Sequence, residues 1–171
     1  MSYTEVYRIG IDKTIETIEE YKNSHGFGPF VWSAISQKYF NDEFGWMSNE
    51  KEIWPLWKDS RLPIHWRSAL LVTYDNAIIE YMYFQEISKY LKLFVSDVGK
   101  RDRVCHLLSI AKLIEESTPC FGFCFYGTSL SDDPWYEYDS EKEEYIQYDF
   151  SKGTKHFFVG ESLKLQKELV K

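Results

Sequence analysis

The sequence predicts an α+β fold in which N-terminal helices pack on a C-terminal, mainly antiparallel sheet. Three observations carry this. Apolar residues recur at three- and four-residue spacing as far as Pro119, short aromatic runs replace them afterwards, and polar turn segments separate those runs.

A first helix is expected to open after Asp12 as N-cap and to close at Gly26. Ile11, Ile15, Ile18 and Tyr21 would line one side, with Glu16, Glu19 and Glu20 mostly on the other. Pro29 suits a first helical position, so a second helix should follow with Phe30, Val31, Ala34 and Ile35 on its apolar side, ending near Phe40. Residues 41–63 set Trp46, Trp54, Trp57, Pro55 and Pro63 among polar residues. This predicts a long connection anchored by its tryptophans, with one helical turn around Glu52.

Two readings compete over 64–79. Arg67, Leu71, Tyr74 and Ile78 follow helical spacing, whereas Val72, Thr73, Ile78 and Ile79 are β-branched and Asp75-Asn76 suits a hairpin turn; helix is the reading adopted. Phe84, Ile87, Leu91, Phe94 and Val95 then form an apolar stripe opposite Gln85, Glu86, Lys89 and Lys92, which predicts an amphipathic helix terminated by Gly99. Asp102 caps the next helix, whose inward residues are Val104, Leu107, Leu108, Ala111 and Ile114, widened by Ile110 and Leu113 and stopped by Pro119.

In CFGFCFYGTSL both alternating sets are apolar, which predicts a central strand. WYEYD and EYIQYDF flank the polar SEKEE and read as a hairpin, KHFFV as a further strand, and ESLKLQKELVK as a short helix that docks Leu163, Leu165 and Leu169.

With 171 residues, 44% hydrophobic and including 13 Tyr, 12 Phe and 6 Trp, the chain has the composition of a folded core rather than of a disordered segment. A chain of this size buries about 70% of its unfolded surface in one core. No internal repeat or Gly/Ser linker divides it, so residues 1–171 are read as a single domain. MSYTEVYRIGIDK lacks a basic region followed by an apolar one, and no stretch reaches the roughly 18 apolar residues of a membrane span, so a cytoplasmic protein without membrane contact is expected. Cys105, Cys120 and Cys124 are odd in number and are read as free buried thiols.

The net charge of −7 argues against direct nucleic-acid binding. That charge is local. Between Asp132 and Asp149 stand eight acids against Lys142 alone, and the rest of the chain balances 19 acidic with 19 basic residues.

Several chemistries can be weighed. Cys105-His106 with Cys120 and Cys124 offers zinc-type ligands, but two cysteines four residues apart on a strand lie about 13 Å apart, too far for one ion, so no metal is expected. No GxSxG elbow and no glycine-rich phosphate loop occurs. His25, His65, His106 and His156 are scattered, so any acid–base pair would have to be assembled by the fold. The expectation is therefore a protein that is not an enzyme and carries no cofactor.

The acidic segment departs most from background. It interleaves Asp132, Asp133, Glu137, Asp139, Glu141, Glu143 and Glu144 with Trp135, Tyr136 and Tyr138, and continues through Tyr145, Tyr148 and Phe150. Aromatics provide desolvated anchors and carboxylates provide steering, the combination found at tight protein interfaces, so these residues are the candidate partner-binding site. The competing reading is a solvated hairpin that only keeps the protein soluble. Asp132, Asp133 and Asp139 as ligands of a hard cation lack the spacing of a calcium loop.

In size, acidity, lack of a catalytic motif and α+β order, the whole chain resembles the immunity proteins of bacterial toxin systems, including those of contact-dependent growth inhibition. The resemblance rests on organisation rather than on a motif, so no family residue is carried over. It implies a cytosolic inhibitor that binds a basic toxin partner, often a nuclease, and covers its active site or substrate surface. Two alternatives stand beside it: a small-molecule binder or enzyme with an aromatic-lined pocket between helices and sheet, and a subunit of a homo-oligomer.

Overall fold

The computed structural model describes residues 3–22, 27–42, 47, 49–99, 106–127, 133–149 and 155–165. His25, Gly26, Trp46, Asp102, Val104, Cys105, Asp132, Phe150 and Leu169, all used in the sequence reading, lie outside the described residues.

The chain opens with an antiparallel hairpin of β1 (Tyr3–Ile9) and β2 (Ile15–Lys22), which replaces the helix expected after Asp12. Asp12 does accept the N–H two residues on, as a helix cap would, but here that bond closes a turn. Its Oδ1 accepts from the Thr14 N–H at 3.2 Å and the Thr14 hydroxyl at 2.7 Å. Gly10 N–H donates to the Thr14 carbonyl at 2.8 Å, and Lys13 takes the left-handed φ of 67°. The spacing of Ile15, Ile18 and Tyr21 imitates a helix because β2 carries a bulge: the register steps between Val6 and Tyr7, leaving β2 one extra residue. Ile15 therefore packs on one side of the sheet, and Ile18 and Tyr21 on the other. Ile11 projects from the turn, 76% exposed.

After α1 (Gly28–Phe40), which carries Pro29 in its first turn and ends at left-handed Asn41, α2 (Glu50–Ile53) and a 3-10 turn (Trp54–Lys58) form the connection. Trp54 fastens it, meeting Trp32 edge-on at 5.1 Å and Tyr74 at 4.6 Å. Residues 64–79 then divide between the two competing readings, as α3 (Ile64–Leu71) and β3 (Ala77–Glu80). The helix stops after two turns because the Thr73 hydroxyl donates to the Leu70 carbonyl at 2.7 Å and Asn76, at φ 63°, donates its N–H to the Phe125 carbonyl at 2.8 Å. The β-branched Ile78 and Ile79 then enter the sheet.

α4 (Phe84–Val98) and α5 (His106–Glu115) bury the expected stripes, Phe84, Ile87, Leu91 and Phe94 against Leu107, Ile110, Ala111 and Ile114. Leu108, read as inward, is 46% exposed. The remaining elements are β4 (Gly122–Gly127), β5 (Tyr136–Asp139), β6 (Glu144–Gln147), β7 (Phe157–Phe158) and α6 (Val159–Leu163).

The main sheet runs β2-β1-β4-β3-β7, antiparallel except for β3–β7, and β5–β6 form a separate two-stranded sheet. The fold is thus α+β with a mainly antiparallel sheet and, as expected, β4 at its centre. The helices do not simply precede the strands, since β1 and β2 come before the first helix and β3 lies between two others. Alternation along the strands divides the interior. Val6, Ala77, Ile79, Phe123 and Phe125 face the helices, whereas Ile9, Ile78 and Cys124 face a smaller cluster with Trp135 and Tyr148. No described helix is long and apolar enough to cross a membrane.

The C-terminal segment is held by one buried carboxylate. Glu80 accepts from the N–H groups of Gly160 at 2.8 Å and Glu161 at 3.1 Å, closing the start of α6. Gly160 lies so near buried Tyr83 that an added Cβ would come within 1.9 Å of the ring. Gly99 is the opposite case, with φ at 80° and open space around it. Urea denaturation should therefore show Gly160→Ala losing about 3 kcal/mol through overpacking and Gly99→Ala losing about 2 kcal/mol through its backbone conformation alone.

Candidate functional site

The acidic segment is a ribbon mounted on the sheet face opposite the helices. Its base is aromatic. Asp133 Oδ1 accepts the Trp135 N–H at 2.8 Å, orienting the entry, and Tyr148 N–H donates to the Trp135 carbonyl at 2.7 Å, closing the exit. The Trp135 ring meets Tyr7 edge-on at 5.1 Å and stacks on His156 at 5.1 Å and 23°; Tyr148 lies 5.6 Å from the same imidazole. Trp135 is 6% exposed and His156 2%. Trp135, read from the sequence as a partner contact, is thus placed as the anchor of the ribbon. Truncating a buried Trp costs about 3–5 kcal/mol.

Above this base the ribbon separates what the sequence interleaves. Cross-strand partners share a face, and the register pairs Tyr136 with Gln147 and Tyr138 with Tyr145, but Glu137 with Ile146 and Asp139 with Glu144. The tyrosines therefore occupy one face and the strand carboxylates the other. Tyr138 and Tyr145 meet edge-on at 5.4 Å while remaining 56% and 73% exposed, and Tyr136 is 47% exposed. Asp139 holds the tip, accepting from the N–H groups of Glu141 at 2.9 Å and Lys142 at 3.2 Å and pairing with the Lys142 ammonium at 3.5 Å. Among the described residues the carboxylates of Glu137, Glu141, Glu143 and Glu144 have no ion-pair partner. Asp133 and Asp139 are thus occupied with turn geometry, and the four glutamates are left for contact with solvent or a partner.

The ribbon leans on the β1–β2 turn. Gln147 Nε2 donates to the Lys13 carbonyl at 3.5 Å, and the Lys13 ammonium lies 3.6 Å from Asp149. Between turn and ribbon runs an open groove of about 500 Å³ lined by Tyr7, Asp12, Lys13, Thr14, Ile15, Trp135, Tyr136 and Gln147. Sequence reading missed it, because nothing local relates residues 7–15 to 135–147.

The described histidines are not brought together. His65 Nε2 lies 2.5 Å from Asp97, which also accepts the Trp66 indole N–H at 3.1 Å; His106 packs 5.0 Å from Tyr21; His156 sits under the ribbon. The His65 bond, followed by that of Trp66, holds the Asp97 carboxyl below its ordinary range. The pair is 32 residues apart in sequence and has no local signature. Cys120 and Cys124 are buried, and burial pushes both thiols up, away from nucleophilic thiolate character. Among the described residues no three His, Cys, Asp or Glu side chains cluster as a metal site.

Burial, reinforced by the adjacent Lys155 charge, lowers the His156 pKa from 6.5 to about 4. The unfolded chain therefore takes up this proton near pH 6.5 while the folded protein resists it. The stability is full above that pH and is lost as the pH falls towards 4, by about 3 kcal/mol when titration is complete. His106, also lowered by burial, acts in the same direction. Asp75 and Glu80, raised by burial, act in the opposite one, since the folded state takes their protons first. Subtracting the pH–stability profile of His156→Phe from that of the unaltered protein should isolate a loss confined to pH 6.5–4; a flat difference would remove His156 as its cause.

No protein-family model matches this chain, and no curated protein or solved structure matches it at a significant level.

Proposed function

We propose that this protein is a cytoplasmic protein-binding inhibitor of the immunity type, which neutralises a basic toxin partner, such as a nuclease, by covering its active site or substrate surface. The observation that carries the reading is the β5–β6 ribbon. It projects two exposed, mutually packed tyrosines, Tyr138 and Tyr145, beside four glutamates that have no ion-pair partner among the described residues. Exposed aromatics gain most from being covered, and unpaired carboxylates gain most from a positive partner. A toxin that grips nucleic acid presents such a positive surface. The buried Trp135–His156–Tyr148 base supports the reading further, because a ribbon held at its root presents its contacts with less conformational entropy to lose.

The separation of the faces divides the roles. The tyrosine face contributes to holding the complex, and the glutamates to attracting it, since electrostatic complementarity acts mainly on the association rate.

With this protein as bait, a basic partner should be retained at low salt and released at high salt. Tyr138→Ala combined with Tyr145→Ala should speed its dissociation about tenfold. Replacing Glu137, Glu141, Glu143 and Glu144 together by Gln should slow association about tenfold and leave dissociation nearly unchanged. An association rate unaffected by the four replacements would sink the steering role, and retention by the double tyrosine variant equal to that of the unaltered protein would sink the ribbon as the interface.

A further inference from the structure

The groove between the β1–β2 turn and the root of the ribbon has an unusual hydrogen-bonding balance. Two of its three hydroxyl donors are used within the protein: Thr14 donates to Asp12 at 2.7 Å, and Tyr7 donates to Glu5. The Lys13 ammonium is drawn to Asp149 at 3.6 Å, and the Gln147 amide nitrogen to the Lys13 carbonyl at 3.5 Å. Acceptors remain. Asp12 uses Oδ1 for both bonds from Thr14, and its Oδ2 has no partner among the described residues; neither has Gln147 Oε1. The Thr14 bonds hold the Asp12 carboxyl below its ordinary range, so it is ionised at neutral pH. The half-exposed Tyr136 ring completes the lining.

A carboxylate oxygen and an amide oxygen beside an aromatic ring suit a ligand that is cationic, rich in donors and flat. A guanidinium meets all three requirements, since it carries five N–H donors in a plane and stacks on aromatic rings; an ammonium lacks the plane, and an anion would meet the Asp12 carboxylate. We infer that this groove receives the guanidinium of an arginine side chain presented by the protein partner. The source of the arginine rests on the inhibitor reading above, and two features favour it. Tyr136, which lines the groove, lies on the same ribbon face as Tyr138 and Tyr145, so the groove continues the tyrosine surface. A volume of about 500 Å³ also exceeds what one guanidinium fills, leaving space for the chain that carries it.

The test uses N-acetyl-arginine amide, titrated into the full chain while the Trp135 indole and Gln147 side-chain amide resonances are followed by NMR. Saturable shifts are expected at both. The isosteric but uncharged N-acetyl-citrulline amide should give none, and N-acetyl-lysine amide should bind more weakly. Asp12→Asn, which keeps an oxygen for the Thr14 bonds and so preserves the turn, should weaken binding at least about tenfold. Gln147→Leu should weaken it less. Equal binding of the citrulline amide, an unchanged affinity in Asp12→Asn, or no saturable shift would overturn the site. Much tighter binding of free L-arginine than of the amide would overturn the protein source in favour of a metabolite.

The inhibitor reading fails separately. A partner captured by the ribbon while the arginine amide does not bind removes only the groove. Arginine-amide binding by a protein whose ribbon captures no basic partner removes the inhibitor reading and, with it, the side-chain source.

Discussion

Both interiors of the protein meet at β4. All six residues of this strand are buried, and they alternate between the two sides, Phe123 and Phe125 towards the helices and Cys124 towards the ribbon. A strand with two apolar faces is stable only if something covers each. The helices cover one face, and β1 and β3 supply its flanks through the registers Val6↔Phe125 and Ala77↔Phe125. The other face would stand open at Ile9, Ile78 and Cys124 without Trp135 and Tyr148. The ribbon is therefore seated by a requirement of the sheet, and its outer half is left to solvent.

This arrangement separates structural from recognition chemistry within one short segment. The residues nearest the sheet, Trp135, Tyr148 and the neighbouring His156, exclude water and pack as rings. Those further out, Tyr138, Tyr145 and the glutamates, are exposed. Neutral His156 belongs to the first group. Desolvation within that aromatic cluster disfavours its charged form, which is what lowers its pKa. The groove lies at the root of the ribbon, where Trp135 of the first group and the half-exposed Tyr136 face the β1–β2 turn.

Much of the secondary structure was legible. The stripe of α4 has one apolar face and a glycine stop, and local spacing suffices for such an element. The β5–β6 hairpin was legible because two aromatic runs flank a polar turn. The segment after Asp12 was not, for two physical reasons. An Asp two residues before an N–H it can accept serves a turn as readily as a helix cap, and a bulged strand changes face partway, giving its apolar residues a helix-like spacing. Residues 64–79 contained both signals in succession, and pairing with β4 decided where one gave way to the other.

By itself the sequence determined that helices and a mainly antiparallel sheet would combine, that an aromatic strand would lie at the centre, and that the whole excess negative charge would fall on one hairpin. These follow from composition and short-range periodicity, which act between neighbours along the chain. Tertiary structure decided that Trp135 is an anchor, that tyrosines and carboxylates occupy opposite faces, that His65 meets Asp97, and that the β1–β2 turn and the ribbon together make a groove. Each of these depends on strand register or on contacts between residues far apart in sequence, and the spacing of residues along one segment carries no information about what will pack against it.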